Sequence, residues 1–180
     1  MSSEIDDFQV SKNCLYETME YPNTYDMIEG WEAAGCCLLP ENKDDPILDL
    51  GCADGVFLRA LREHGYTNLT GVEPNIQSSD FEGIKLLETD GVHMNFPEKS
   101  FNRVYSRLLF DGGVYPEQSS NIQGVMAGKI MRVLKNHGIY ANEGIMGNVE
   151  DFFDHARNMQ RVMEPKNNHG RFDLAWRRIS

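Results

Sequence analysis

Asp49, Glu73 and Asp90 stand at or just beyond the ends of three short apolar runs, and the small residues Gly51, Cys52, Ala53 and Gly55 follow the first of them. A turn built from small residues lets backbone N–H groups approach a ligand, and the helix it opens adds a positive dipole. Glu73, followed by Pro74, lies 18 residues beyond Gly55, where a carboxylate can accept hydrogen bonds from two ribose hydroxyls. Asp90 and Gly91 end a third run and Ser106 a fourth. The chemistry implied is nucleoside binding. The dinucleotide fingerprint G-x-G-x-x-G needs glycine at 53 and glycine or alanine at 56, where this chain has Ala53 and Val56, and no G-x-x-x-x-G-K-[ST] occurs. NAD and P-loop nucleotides are therefore disfavoured. Asp49, two residues before Gly51, suits an ammonium group better than a pyrophosphate.

The elements that must position these residues follow from the pattern. Pro46 to Leu50 reads as a strand, then comes a helix with Phe57, Leu58, Ala60 and Leu61 on one face, capped at Gly65. Leu69–Val72, Ile84–Thr89 and Arg103–Ser106 read as the next three strands. Ser119 or Ser120 opens a helix with Ile122, Val125, Met126, Ile130, Val133 and Leu134 on one stripe, closed by Gly138, and Ile139–Glu143 is a fifth strand. Val149, Phe152, Phe153, Ala156, Met159 and Met163 predict a further helix that Asn148 opens and Pro165 stops, leaving Phe172–Ile179 as a last strand. Strands alternating with helices predict an α/β fold, a Rossmann-like and mostly parallel twisted sheet with helices on both faces. In such sheets ligands bind beyond the carboxyl ends of the strands, which is where all four groups should meet. Residues 1–45 form a helical segment ahead of the domain at 46–180, with a helix over Thr24–Leu39 stopped by Pro40. It is expected to cover the ligand edge, with Tyr16, Tyr21 and Tyr25 as caps.

Ile47-Leu-Asp-Leu-Gly-Cys-Ala-Asp-Gly55 resembles motif I of the class I S-adenosylmethionine-dependent methyltransferases. The likeness continues in order through Thr70-Gly-Val-Glu-Pro-Asn75, Glu88-Thr-Asp-Gly91 with Phe96-Pro-Glu-Lys-Ser-Phe-Asn102, and Ile130-Met-Arg-Val-Leu-Lys-Asn-His-Gly138. The resemblance implies S-adenosylmethionine as cofactor. Asp49 would hold its amino group, with the backbone around Gly51, Cys52, Ala53 and Gly55 facing the methionine part. Glu73, beside Pro74, would take the ribose hydroxyls; Asp90 and Gly91 would face adenine; Ser106 with Arg107 would border the transferred methyl. Ala53, Asn102 and Asn136-His137 depart from the family pattern. Only 37 residues follow Glu143, which predicts a shortened C-terminus with one helix and one strand where the family closes its sheet with two.

Methyl transfer needs a general base only when the acceptor is protonated. The candidates are His93, His137 and Glu143. Where amine- and base-methylating members carry Asn-Pro-Pro-Tyr, this chain has Ser106-Arg-Leu-Leu-Phe-Asp111. That resembles the ubiquinone, menaquinone and sterol methyltransferases and implies a small-molecule acceptor, with Leu108, Leu109 and Phe110 as a possible apolar lining. A second reading is a catalytically silent S-adenosylmethionine-binding protein or partner subunit.

The 180 residues suffice for one domain with a sizeable core. Seventeen basic against 28 acidic side chains give a net charge of −11, which disfavours nucleic acid as a partner. Residues 1–120 hold 8 basic and 22 acidic side chains, whereas 121–180 hold 9 and 6. Any acidic substrate or partner should therefore meet the C-terminal end. Cys14, Cys36, Cys37 and Cys52 show no C-x-x-C or zinc spacing, so no metal is expected. No apolar stretch is long enough to span a membrane and Met1–Val10 is acidic, so the expected location is cytoplasmic. A homodimer through the last strand is the expected assembly.

Overall fold

In the computed structural model, residues 23–33, 35–76, 82–107, 120–143, 149–163 and 174–179 are described. The elements run α1 (Thr24–Ala33), β1 (Ile47–Leu50), α2 (Val56–Glu63), β2 (Leu69–Val72), β3 (Ile84–Leu87), β4 (Phe101–Arg107), α3 (Ser120–Val133), β5 (Leu134–Glu143), α4 (Val149–Asp154), β6 (Met159–Met163) and β7 (Leu174–Arg178). They form a seven-stranded sheet in the order β3-β2-β1-β4-β5-β7-β6. β1 through β5 pair in parallel, and β7 runs antiparallel to both β5 and β6. This is the Rossmann-like α/β fold predicted. The strand order reverses between β1 and β4, so a crevice opens beyond their carboxyl ends.

Alternation along the strands divides the core into two layers. Ile47, Tyr105, Ile139, Ala141 and Ala175 pack with α1 and α2, while Leu48, Leu50, Val104, Tyr140 and Trp176 pack with α3 and α4. α2 buries Phe57, Leu58, Ala60 and Leu61, the stripe its spacing predicts. It ends as expected at Gly65: Gly65 donates to the Arg62 carbonyl and Tyr66 to that of Leu61, with Gly65 at φ 89°. That is a Schellman cap, and it seats Tyr66 in the core.

Three helix ends differ from expectation. α1 stops at Ala33, before Pro40, because Gly35 takes a left-handed conformation and Cys36 donates back to the Trp31 carbonyl. α3 stops at Val133, before Gly138, because its last carbonyls find tertiary partners: the Arg178 guanidinium bonds those of Met131 and Arg132, and the Lys99 and Ser100 amides bond Arg132 and Val133. The helix expected up to Met163 ends at Asp154, whose carboxylate accepts from the Arg161 guanidinium and from Trp176 Nε1 at 2.7 Å. Met159–Met163 is a strand instead, paired along β7. Two strands therefore close the sheet after α4, where one was expected.

The described part of the N-terminal segment packs on the sheet. Met27, Ile28, Trp31, Leu38 and Leu39 share one core layer with Phe57 and Tyr105. Arg103 on β4 binds the Leu38 carbonyl through Nε and that of Leu39 through Nη2, both at 2.9 Å, and the Tyr105 hydroxyl also donates to Leu38. Tyr25 donates to Glu63 at the last turn of α2, the end away from Gly55, so it does not cap the ligand edge. Tyr16 and Tyr21 lie outside the described residues.

Gly71 on β2 has no room for a side chain, since a Cβ there would lie 2.7 Å from Cys52 Sγ, 2.8 Å from Leu86 Cδ2 and 2.9 Å from Leu58 Cδ1. Overpacking a rigid core costs about 1–3 kcal/mol. Gly71→Ala should lower the urea midpoint accordingly; an unchanged midpoint would show that this layer can relax.

Candidate functional site

The site is built from the turn between β1 and α2. Gly51, Ala53 and Gly55 all adopt positive φ, at 72°, 47° and 73°, so three residues in five are left-handed. The Gly51 and Cys52 amides both donate to the Val72 carbonyl at the end of β2, at 2.8 and 3.2 Å, and Gly55 N–H closes on the Cys52 carbonyl at 2.7 Å. For alanine the left-handed region costs about 1–2 kcal/mol. An external bond compensates: Ala53 N–H donates to Glu73 Oε2 at 3.2 Å. Glu73 Oε1 accepts from the Asn75 amide at 3.2 Å, and the Glu73 amide reaches the Leu87 carbonyl of β3. Two N–H donors use half the lone pairs of a carboxylate, leaving capacity for two hydroxyls. Pro74 follows, exposed, where no strand bond is needed.

Asp49 is buried on β1, in register between Gly71 and Tyr105. Cys52 is buried beneath the turn. Its thiol is pushed up to about 12, first by burial and then by the charges of Asp49, Glu73 and Asp54. The same carboxylates that crowd the thiol offer a cation a favourable place.

Asp90 lies three residues past β3 and accepts the His93 amide at 2.8 Å through Oδ1; His93 Nδ1 is 2.8 Å from Oδ2. Burial works to raise the Asp90 carboxyl, but the His93 hydrogen bonds outweigh it and hold the group below its ordinary range. Gly91 is buried against Met126 of α3. Ser106 is fully buried; its hydroxyl donates to Asn142 Oδ1 at 2.7 Å and pairs with the Tyr140 hydroxyl at 2.8 Å. The structure thus commits Ser106 to the interior rather than to the open edge. Burial pushes the Tyr140 hydroxyl up, so it acts here as a neutral donor.

The catalytic candidates separate. Glu143 ends β5 opposite Arg107, at the carboxyl edge. His137 sits at the other edge, exposed, with φ 64°, two residues before the Ile139–Arg103 pair. It serves a kink at the start of β5 and is removed from the site. His93 is bound to Asp90. Tyr140 and Asn142 were missed: period two places them on one face, but only the β4–β5 register brings them to Ser106.

A family model described as methyltransferase domain matches residues 26–175. The chain belongs to the class I S-adenosylmethionine-dependent methyltransferases. A protein of Pyrococcus horikoshii is 15% identical, with TM-score 0.62 over 91% of this chain and 94% of its own. A TehB-like S-adenosylmethionine-dependent methyltransferase of Corynebacterium glutamicum is 16% identical, with TM-score 0.60 over 86% and 95%. Both share the fold. A methyltransferase of Mesorhizobium loti is 24% identical, with TM-score 0.47; 66% of this chain and 54% of that one align, so this chain spans about half its length. No curated protein matches the sequence. The family's cofactor is S-adenosylmethionine, and the turn, the buried Asp49 and the half-used Glu73 carboxylate fit it. Among the described residues no group of three His, Cys, Asp or Glu is placed to hold a metal, and no helix is long and apolar enough to cross a membrane.

Because a thiolate is the reactive form of cysteine, Cys52 should resist iodoacetamide at about pH 8 in the folded protein and react once it is unfolded. Peptide mapping checks this. Labelling of Cys52 at the rate of an exposed thiol would contradict the burial and charge described.

Proposed function

We propose that this chain catalyses methyl transfer from S-adenosylmethionine to a small-molecule acceptor. The observation that carries the reading is the left-handed turn at Gly51–Gly55 clasped to Glu73, at the point where the strand order reverses. When bound, S-adenosylmethionine supplies a methyl group on a positively charged sulfur. Asp49 supplies negative charge for the amino group, and the backbone at Gly51, Cys52, Ala53 and Gly55 can approach the methionine part closely because no large side chain intervenes. Glu73 holds the ribose hydroxyls, while Asp90 and Gly91 border the base. Methyl transfer is an in-line displacement, so alignment and exclusion of water are the main work of the protein.

Ser106 and its partners Tyr140 and Asn142 keep the ends of β4 and β5 in a fixed relation beside the reacting region. For an acceptor that must lose a proton, Glu143 is the candidate base remaining at this edge. The segment Ser106-Arg-Leu-Leu-Phe-Asp111, which resembles the branch of ubiquinone, menaquinone and sterol methyltransferases, supports a small-molecule acceptor; Leu108, Leu109 and Phe110 lie outside the described residues. The reading as a silent binder draws on the shortened C-terminus and on the lack of a convincing base; β6 with β7 removes the first of these reasons.

Calorimetric titration with S-adenosylmethionine and S-adenosylhomocysteine tests binding, and label transfer from methyl-labelled cofactor into a metabolite extract tests catalysis. Absence of heat with either ligand, with the fold shown intact, would overturn the reading. Glu73→Ala should weaken S-adenosylhomocysteine by about 1–3 kcal/mol, the range for hydrogen bonds to a charged group. Unchanged affinity would remove Glu73 from the site.

A further inference from the structure

We propose that His93 is the positioning residue of base recognition: it fixes the Asp90 carboxylate as an acceptor for a 6-amino group, so that the site takes 6-aminopurine nucleosides and rejects 6-oxopurines. This rests on the cofactor reading above and adds the residue that sets the choice of base.

The backbone behind Asp90 is anchored on two sides. A Cβ at Gly91 would lie 3.3 Å from Met126 Sδ, so the chain is seated closely on α3, and the Met94 amide donates to the Asp90 carbonyl at 3.0 Å, closing a turn. What remains free is rotation of the carboxylate about its own side-chain bonds. His93 removes that freedom. Its amide donates to Oδ1 at 2.8 Å, and its Nδ1 lies 2.9 Å from Oδ1 and 2.8 Å from Oδ2. A carboxylate only accepts, so Nδ1 carries the proton and shares it between both oxygens. The Val92 amide also bonds the carboxylate, but only the His93 ring reaches both oxygens and so sets the carboxylate plane.

The ring doing this is itself 78% exposed, against 32% for the Asp90 side chain. An exposed pair contributes little to stability, so the contact is not required to hold the fold. Its consequence falls on Asp90, whose carboxyl stays ionised because the His93 bonds outweigh burial. An ionised acceptor facing the base edge favours an amino donor, and a 6-oxo group would bring oxygen against oxygen. Sites that hydrogen-bond a substrate group reject the analogue lacking it far more strongly than apolar sites do.

The test is calorimetric titration of the full chain with S-adenosylhomocysteine and its 6-oxo analogue S-inosylhomocysteine. The wild type should prefer the adenine form by at least about 10-fold, one charge-assisted hydrogen bond's worth. His93→Ala should keep the fold by circular dichroism, lose most of that preference, and lose it through the adenine form alone. Asp90→Asn, whose amide can donate to a 6-oxo group, should erase or reverse the preference. Glu73→Ala should weaken both ligands by the same factor, since both carry the ribose. If His93→Ala weakens both ligands equally or neither, His93 is merely a turn residue and the proposal falls while the cofactor reading stands. A wild type that binds neither ligand overturns the cofactor reading itself, and this inference with it.

Discussion

The Val72 carbonyl accepts the amides of both Gly51 and Cys52, and the functional geometry hangs from this shared acceptor. It ties the first turn to the neighbouring strand at the place where the Leu50–Val72 register ends. From there the constraints propagate in both directions. Cys52 is drawn down onto Gly71, which can carry no side chain, and Ala53 is turned left-handed toward Glu73. On the other side Gly55 opens α2, whose Phe57 packs edge-on against Tyr105 at 4.9 Å and Trp31 at 6.4 Å between ring centroids. The turn, two strands and two helices are thus coupled through rigid contacts. A shift in the turn would be felt in the core.

The two edges of the sheet divide the charge between them. At the carboxyl edge Asp49, Asp54 and Glu73 gather, and their presence is felt by the Cys52 thiol. Away from it, cations serve backbone oxygens: Arg103 those of Leu38 and Leu39, Arg178 those of Met131, Arg132 and Leu134. This changes the meaning of the basic excess after residue 120. Lys129 and Arg132 bind the carbonyls of Met94 and Phe96, and Arg161 pairs with Asp154 while lying over Trp176 at 5.5 Å. Much of that positive charge is engaged inside the fold, so a basic surface for an acidic partner is smaller than the charge count suggests.

Legibility in the sequence differed by element. β1, α2 and β2 were readable because local signals agreed: apolar runs of the right length, an amphipathic stripe and a glycine where a Schellman cap needs one. α4 and β6 were misread for a physical reason. The apolar residues from Val149 to Met163 recur at helical steps, yet Asp154 is held by Arg161 and Trp176 and the chain turns there to pair with β7. Helical spacing cannot report strand partners 12 to 19 residues away. The same holds for α3, whose end is set by Arg178 and not by Gly138.

By itself the sequence determined the family, the alternation of strands and helices behind a mostly parallel sheet, and which groups stand near the strand ends, because each depends on short segments whose spacing is local. Tertiary structure alone decided which of those groups are available. Ser106 faces Tyr140 and Asn142 because of the β4–β5 register; His137 is left at the far edge because β5 starts early; His93 is drawn to Asp90 by a closed turn seated on α3. A residue's type and position along the chain set what it can do. Its hydrogen-bond partners, which only the folded chain supplies, set whether it remains free to do it.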